Sequence, residues 1–562
     1  MDYYDLGSHG RPVTTVSDEA QTWFDRGLVW TYAFHHEEAV RCFEAAVAAD
    51  PECAMAYWGI AYALGPHYNK PWEAFDGQEL VRTVDRAHAA VERAHEKAAK
   101  ATWVERALID ALRARYPQAR AAADCSVWNE PYADAMRAVH EAAPDDLDVA
   151  ALHADALMNL TPWQLWDLPT GRPAEGARTL EAKAVLDRAL ATDAGREHPG
   201  LVHLYVHLME MSPTPEAALG IADRLRDLVP DAGHLLHMPS HLEVLCGDYR
   251  RAVSDNTAAI AADEKYRVRA GAMNFYTLYR AHNHHFRIYG AMFLGRSRQA
   301  LEAAAELEAS IPEELLRVES PPMADWLEGF LAMRVHVLIR FGRWTDLLAL
   351  PLPADTRLYC VTTAMLHYAR GVALSATGRV TEAEAERVLF REAAARVPSS
   401  RTLFNNTCVD LLAVAAAMLD GELAYRRGEY DTAFAALERS VALDDSLPYD
   451  EPWGWMQPTR HAYGALLLEQ GHVAEAEAVY RADLGLDDTL PRARQHPGNV
   501  WALHGLHECL VRLGRAGEAR IVNRQLRTAA ALADVPVEAS CCCRLQAFDG
   551  AGDTAGCRAS GH

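Results

Sequence analysis

The chain of 562 residues is half hydrophobic and carries a formal net charge of −23, a balance that argues against nucleic acid or an anionic membrane as a partner. It contains no apolar run long enough to cross a bilayer, and its first residues, MDYYDLGSHGRP, lack the basic and apolar regions of a signal peptide. We therefore expect a soluble, cytoplasmic protein that contacts neither membrane nor nucleic acid.

After an extended lead-in, the sequence enters a helical repeat with a period of about 34 residues. In FDRGLVWTYAFHHEEAVRCFEAAVAADPECAMAYWG, the small and turn positions of a tetratricopeptide-like helix hairpin are filled by Gly27, Ala39, Phe43, Ala46 and Pro51. Small residues let two helices approach closely, and the proline ends the second helix. Related turns and second helices recur as GDYRRAV, GRVTEAEA, RGEYDTAFAALERSVAL and GHVAEAEAVYRADL. The sequence predicts an all-α solenoid of such hairpins, a right-handed superhelix whose first helices line a groove.

The expected organisation has five parts. They are helical repeats over 1–160, a Pro- and Gly-rich loop over 161–176, histidine-rich repeats over 177–312, further helical repeats over 325–530, and a tail over 533–562 that we expect to lack stable structure. The tail holds three consecutive cysteines, Cys541, Cys542 and Cys543. They leave two interpretations open, a site for a soft metal such as Cu(I) or a mobile tail that happens to be rich in cysteine.

Three histidine clusters, HLYVH, HLLHMPSH and HNHH, lie in the 177–312 segment. Aligned on the repeat motif, they fall on the groove-facing positions of the first helices of three successive units. The candidate metal ligands are His203, His207, His234, His237, His241, His282 and His285. His284 falls on the packing side and is left out, whereas His198 fits either a ligand or a loop residue.

A single buried histidine is usually a satisfied core residue, but seven in one register favour a metal site, because packed imidazoles are costly if any is charged. A nearly all-imidazole shell suits copper, zinc, nickel or iron. Seven ligands exceed what one ion needs, so we expect two ions with about three histidines each. Copper is the favoured metal, with iron and zinc as alternatives.

Residues outside the ligand set are candidates for catalysis. Glu210 is the one carboxylate clearly predicted to face inward, which disfavours a carboxylate-bridged di-iron site and leaves Glu210 as a possible base for a metal-bound water. Tyr289 takes a groove-facing position in the third unit, and Tyr205 and Tyr279 lie near the clusters. Any of the three tyrosines is a candidate proton or electron donor.

Substrate-binding candidates come from two loops and from the unit before the histidine block. The loops, 65–75 and 161–176, are expected to shape the mouth of the site. The candidates are His67, Asp155, Asn159 and Trp163. Asp155 and Asn159 could equally orient a ligand histidine, or be solvated groove residues.

Four stretches, HPGLVHLYVHLMEMSPTPE, AGHLLHMPSHL, NFYTLYRAHNHHF and RHAYGALLLEQGHVAEAEAVYRADL, resemble a broad family of bacterial and fungal tetratricopeptide-repeat proteins of unsettled function. The resemblance implies the repeat fold over most of the chain and implies no particular activity.

Two classes of function are compatible with these features. The first is a metal-dependent oxidase or oxygenase that acts on a small molecule, with dioxygen as a co-substrate, at a histidine-ligated dinuclear copper site. Its histidine pattern is similar to dinuclear copper sites that handle dioxygen on another fold. A zinc or iron enzyme, such as a zinc hydrolase, could use the same histidines. The second class is a peptide- or protein-binding scaffold without catalysis, whose partner lies in the groove.

Overall fold

The computed structural model describes residues 3–545, and over this range its regular secondary structure is almost entirely α-helical, so the all-α prediction is confirmed. The helices form two compact units. Unit 1 contains the residues up to 287 with 307–327 and 491–493, and unit 2 contains 288–306, 328–490 and the residues from 494 onward. None of the helices described between residues 3 and 545 combines the length and the apolar content that a bilayer crossing requires.

The first helices in chain order are α1 (Asp18–Tyr32), α2 (His36–Ala49), α3 (Ala54–Leu64), α4 (Gly77–Lys97), α5 (Trp103–Arg115), α6 (Asn129–Ala142), α7 (Leu147–Met158), α8 (Thr179–Leu190), α9 (Asp193–Arg196), α10 (Pro199–Glu210), α11 (Leu219–Ala222), α12 (Leu225–Leu228), α13 (Gly233–His237), α14 (Pro239–Cys246) and α15 (Tyr249–Ala270).

They are followed by α16 (Thr277–Phe293), α17 (Ser297–Ser310), α18 (Glu313–Leu316), α19 (Met323–Leu327), α20 (Met333–Arg340), α21 (Trp344–Ala349), α22 (Cys360–Ala376), α23 (Val380–Ala394), α24 (Cys408–Arg426), α25 (Tyr430–Ser446), α26 (Thr459–Glu469), α27 (Val473–Leu484), α28 (Val500–Arg512) and α29 (Ala516–Ala530). Short 3-10 turns lie at Trp72–Ala74, Ala98–Lys100, Cys125–Trp128, Pro215–Ala218, Glu328–Ala332 and Arg492–Arg494. Two antiparallel strand pairs join β1 (Trp166–Asp167) to β2 (Arg172–Pro173) and β3 (Thr402–Leu403) to β4 (Asn406–Thr407).

The first hairpin closes on Phe43, the large residue of the repeat motif. A Cβ placed on Gly27 of α1 would lie 2.7 Å from the Phe43 ring, and one on Gly59 of α3 would lie 2.5 Å from it. Ala39 and Ala46 of α2 are fully buried. The small residues of the motif therefore set the distance between these helices, as the sequence predicts for a tetratricopeptide-like hairpin.

Unit 2 repeats this packing around Tyr480 of α27. A Cβ on Gly464 of α26 would lie 2.6 Å from the Tyr480 ring, and one on Gly505 of α28 would lie 2.2 Å from the same ring. Gly471 joins α26 to α27 with φ of +82°, a left-handed conformation that glycine adopts without a Cβ clash. The same glycine–aromatic contact therefore recurs far downstream in the chain.

The lead-in before α1 has no helix but is fixed to distant parts of unit 1. The Asp5 amide donates to Asp231 Oδ2 at 2.8 Å, and Arg11 Nη1 donates to Asp146 Oδ1 at 2.7 Å. The Thr14 hydroxyl donates to a Glu105 carboxylate oxygen at 2.6 Å.

Two elements of the histidine block differ from the prediction. Each histidine unit is expected to be a helix hairpin, but the second helix of the first unit, around Ala218 and Ala222, is broken into a 3-10 turn and two single turns, α11 and α12. The first helix expected through HLLHMPSH is interrupted at Met238, because Pro239 has no amide hydrogen to donate. Met238 keeps a right-handed helical conformation, so the histidines on α13 and α14 stay in helical register.

The expectation of an unstructured tail is wrong for its described part, up to residue 545. The Ser540 carbonyl accepts from Arg340 Nη1 at 2.8 Å, and Arg544 Nη1 donates to Glu508 Oε2 at 2.6 Å, all within unit 2. Cys541 and Cys543 form a disulfide, so Cys542 is the thiol left in this group. The rest of the predicted tail lies outside the described residues.

Candidate metal centre

Helix α10 carries His203 and His207 one turn apart on one face. The helix begins at Pro199, whose fixed φ suits the first helical turn, and His198 caps it by accepting from the Leu201 amide at 3.2 Å. Every residue of α10 is buried, so both imidazoles lie in the core of unit 1.

The remaining candidate ligands come from α13, α14 and α16. Imidazole nitrogens gather in two groups, in each of which one nitrogen per residue lies within 4.8 Å of the others. Cluster A consists of His203, His207 and His234, and cluster B consists of His237, His241 and His282. Each of the six is at most 7% exposed. The structure thus brings six of the seven candidate ligands together in two groups of three.

Hydrogen bonds fix which ring nitrogen carries the proton in cluster A. His203 Nδ1 donates to the Tyr32 carbonyl at 2.6 Å, and His207 Nδ1 donates to Glu210 Oε1 at 3.0 Å. Because the neutral ring has one proton, Nε2 of each residue is left with a lone pair. Within residues 3–545, both Nε2 atoms are buried without a hydrogen-bond partner, as are both ring nitrogens of His234.

Cluster B is held in the same tautomer. The Asn256 amide nitrogen donates to Ser240 Oγ and to the Ala252 carbonyl, so Asn256 Oδ1 is the acceptor for His237 Nδ1, at 2.7 Å. His241 Nδ1 donates to Glu210 Oε2 at 2.8 Å. The two Nε2 lone pairs therefore face each other, 2.7 Å apart.

Burial disfavours the charged form of all three histidines of cluster A and of two histidines of cluster B. Burial lowers the pKa of His203 to about 3 and lowers the pKa of His207 and His234 well below its ordinary value. Burial lowers the pKa of His237 and His282 in the same way. Neutral imidazoles with buried, convergent lone pairs are the donor set that a transition-metal ion requires, so these residues fit a metal.

Glu210 is placed differently from the base predicted from the sequence. Its carboxylate is fully buried and accepts from His207 on one oxygen and from His241 on the other. Carboxylates in this position behind a ligand histidine orient the ring and raise its basicity. The geometry supports an orienting role for Glu210 rather than proton transfer to or from a metal-bound water.

Aromatic side chains cover cluster A on both sides of His207. The Phe34 ring stacks on His207 at 5.7 Å, and the Trp163 ring meets it edge-on at 5.8 Å. Both covering residues have left-handed backbone angles, φ +53° for Phe34 and +60° for Trp163. A non-glycine residue keeps such an angle only where the surrounding structure enforces it, at a cost of about 1–3 kcal/mol. Backbone strain is therefore concentrated at this cluster.

A cavity of about 490 Å³ lies beside cluster A within unit 1. Phe34, Tyr279 and His67 line it. The Phe34 ring centroid is 4.3 Å from that of His203, and the Tyr279 centroid is 4.8 Å from that of His234. A small molecule in the cavity would thus be separated from cluster A by a layer of aromatic side chains.

The other substrate-binding candidates are buried rather than solvated. Asp155 Oδ2 accepts from the Tyr62 hydroxyl at 2.6 Å, and Asp155 Oδ1 accepts from Asn159 Nδ2 at 2.9 Å. Burial raises the pKa of Asp155. Asp155, His67 and His203 line a water-sized space of about 10 Å³. The interpretation of Asp155 and Asn159 as solvated groove residues is therefore wrong.

Three further candidates lie apart from the clusters. His285 is fully buried but belongs to neither cluster as defined over the described residues. Tyr289 belongs to unit 2, where it stacks on Phe293 at 4.3 Å. The Tyr205 ring lies 5.9 Å from the Lys183 ammonium of α8. Roles for Tyr289 and Tyr205 as donors stay predictions.

His198 belongs to another polar group. Asp148 Oδ1 accepts from His198 Nε2 at 3.1 Å, from His9 Nε2 at 3.2 Å and from the Tyr32 hydroxyl at 2.6 Å. Burial alone would raise the pKa of Asp148, but the bonds from His198 and His9 lower it well below its usual value. Arg11 Nη1 also donates to Asp148 Oδ2, at 3.1 Å. His9, Asp148 and His198 each offer a ligand atom within 4.8 Å of the others, so a ligand role for His198 stays a prediction.

Several functional residues escaped the sequence analysis. The Tyr32 carbonyl is a backbone acceptor, so its residue type carries no signal. Asn256 lies on α15, the second helix of its hairpin, whereas the repeat register predicts site residues on first helices. Phe34 is distinguished by its backbone angle, and the letters YAFHH do not reveal that angle.

Comparison with known proteins adds little to this description. No family model matches the chain, and no curated protein sequence matches it. Solved structures with similarity to this chain include the following three. A Rap protein complexed with competence and sporulation factor is 12% identical, with 69% of this chain and 98% of that chain covered and a TM-score of 0.29.

The other two are Naa15/Naa10 bound to HypK-THB and the P58(IPK) TPR domain. The first is 13% identical, covers 91% of this chain and 70% of that chain, and has a TM-score of 0.22. The second is 12% identical, covers 88% and 99%, and has a TM-score of 0.20. At these scores the similarity carries no functional argument, and the repeat fold rests on the hairpins described above.

Proposed function

We propose that this chain is a histidine-ligated dinuclear metal protein in which cluster A and cluster B each hold one transition-metal ion. The observation that carries the proposal is the hydrogen bonding of the Nδ1 atoms. In four of the six rings an acceptor fixes the proton on Nδ1, and the Nε2 lone pairs converge in a buried space. Acceptors that bond the other ring nitrogen in this way accompany metal-ligating histidines in proteins.

Copper is the favoured metal, with iron and zinc as alternatives, because the shell is imidazole rather than carboxylate or thiolate. A bound copper or iron ion would supply one-electron chemistry with dioxygen. The adjacent cavity of about 490 Å³ has the size of a small-molecule pocket, about 300–1,000 Å³. An oxidase or oxygenase for a small molecule is the reaction class that best combines these two features.

Metal analysis of protein purified without chelator tests the proposal. We expect about two ions per chain, because each cluster offers the three ligands typical of a metal site with an open position. The expression medium should be supplemented with copper, iron or zinc in parallel. Less than about a tenth of an equivalent of every metal would contradict the proposal.

The helical-hairpin fold itself favours a second function, a peptide- or protein-binding scaffold without catalysis, because tetratricopeptide arrays commonly hold peptides in their grooves. The same metal analysis separates the two, since a scaffold has no need of bound metal. Loaded protein whose absorption spectrum does not respond to dioxygen, azide or cyanide would favour a scaffold with structural ions.

A further inference from the structure

Glu210 is hydrogen-bonded to a ligand of each cluster. Its Oε1 atom accepts from His207 Nδ1 of cluster A at 3.0 Å, and its Oε2 atom accepts from His241 Nδ1 of cluster B at 2.8 Å. The two imidazole centroids are 5.6 Å apart, and all three side chains are at most 1% exposed. One buried carboxylate therefore accepts a hydrogen bond from the Nδ1 atom of one histidine in each cluster.

We propose that Glu210 makes clusters A and B a single binuclear site, in which the shared carboxylate allows both ions to be held at once. This inference rests on the proposed function, because it requires that the clusters bind metal. Two cations held close together in a buried region repel each other strongly, since little water is present to screen them. The negative charge of Glu210, bonded to a ligand of each, offsets this repulsion.

The tautomers of His207 and His241 also favour a carboxylate at position 210. A carboxylate offers an acceptor oxygen at each end, so it holds the proton on Nδ1 of both His207 and His241. An amide in its place would accept at one end and donate at the other. The ring that faces the donating end would have to accept on Nδ1, which moves its proton to Nε2 and removes that nitrogen as a ligand.

A competing arrangement is present in the same residues. His207, Glu210 and His241 also place one ligand atom each within 4.8 Å of the others, which would suit a single ion bound by the carboxylate itself. The hydrogen bonds count against it, because the Nδ1 atoms there are already engaged with the carboxylate. The two arrangements differ in the number of ions expected.

The test is the substitution Glu210→Gln, with ions counted by native mass spectrometry and affinities measured by competitive copper and zinc titration. Wild type should bind two ions, and Glu210→Gln should bind one, with the second weakened by about 10–100-fold. Glu243→Gln is the matched control, because Glu243 of α14 is equally buried but pairs with Arg226 instead of a cluster histidine. It should keep two ions.

Each other outcome overturns a stated part of the argument. Wild type that binds no metal contradicts the proposed function and this inference with it. Two ions at unchanged affinity in Glu210→Gln overturn this inference alone. One ion in wild type that is lost in Glu210→Gln supports the single-ion arrangement instead.

If Glu210→Gln does not fold, Glu210→Asp decides, because it keeps the charge but is too short for both hydrogen bonds. We expect it to bind two ions with the second at least about tenfold weaker, and unchanged affinities would overturn the inference.

Discussion

The Nε2 atoms of His237 and His241 lie 2.7 Å apart, although both rings carry their proton on the opposite nitrogen. Two lone pairs at this distance repel each other. A cation that both nitrogens bind removes the repulsion. Cluster B should therefore be under strain without metal and relaxed with it.

The first prediction is that His237→Ala removes the ion of cluster B and leaves that of cluster A. Metal content should fall from about two ions to about one, because two histidines are too few to retain an ion against competition. The metal-free variant should unfold at a temperature no lower than the metal-free wild type, since the lone-pair repulsion is gone. Metal analysis and thermal unfolding of both forms measure this.

His284→Ala is the control for that experiment. His284 lies on α16 two residues after His282, but it belongs to neither cluster as defined over the described residues. It should retain both ions, and loss of metal in His284→Ala together with full occupancy in His237→Ala would show that the ligand assignment is wrong.

A second prediction concerns Trp163, which covers His207 from the loop over 161–176. Trp163→Ala should keep both ions, because no ligand atom is removed, but it should open cluster A to water and small anions. Azide added to the copper-loaded variant should change the absorption spectrum at lower concentrations than in wild type. Turnover of a substrate should fall more than metal content, and the same should hold for His67→Ala. Loss of metal in Trp163→Ala would contradict the covering role.

A third prediction concerns pH. Burial lowers the pKa of His336 in unit 2 to about 3, whereas an imidazole in an unfolded chain titrates near about 6.5. As the pH falls below 6.5, the unfolded state therefore gains a proton that the folded state does not. The free energy of unfolding should fall by about 1.4 kcal/mol per pH unit from this residue alone.

His336→Leu should remove that contribution, so urea unfolding between about pH 6.5 and 5 should show a shallower pH dependence than in wild type. The control is His472→Leu, at an exposed position of the same unit. If the free energy of unfolding depends equally on pH in wild type and in His336→Leu, His336 takes up its proton while the protein is folded.

A fourth prediction concerns the contacts that set the helix spacing. Gly464→Ala would place a methyl group 2.6 Å from the Tyr480 ring, and overpacking of this kind costs about 1–3 kcal/mol. Gly517→Ala is the matched control, because nothing lies within 4 Å of the added methyl group and the helix gains about 0.5–1 kcal/mol. Gly464→Ala should lower the melting temperature and Gly517→Ala should raise it. An unchanged melting temperature in Gly464→Ala would show that the helices can separate at little cost in free energy.

The sequence predicted the parts of this structure that follow from helical periodicity. His203 and His207 are four residues apart on one helix, and His237 and His241 have the same spacing, so a register of repeats was enough to bring them together. Pro239 did not disturb that register because Met238 keeps a helical conformation.

The rest depended on information that periodicity does not carry. Glu210 was expected to face the metal, but the bonds from His207 and His241 place it behind the ligands. Phe34 covers cluster A because of a left-handed backbone angle, which the residue type does not indicate. His285 has the spacing of a ligand, yet it belongs to neither cluster as defined over the described residues.

The long-range ties of unit 1 have a consequence for its synthesis. Asp231, which accepts a hydrogen bond from the Asp5 amide, is made 226 residues after Asp5. Arg492, which also belongs to unit 1, donates to the Leu245 carbonyl at 2.8 Å. Because chains emerge at about 5–20 residues per second, the unit that contains both histidine clusters cannot be completed until most of unit 2 has also been made. A chain whose synthesis stalls before Arg492 would therefore leave unit 1, with both histidine clusters, without this hydrogen bond to Leu245.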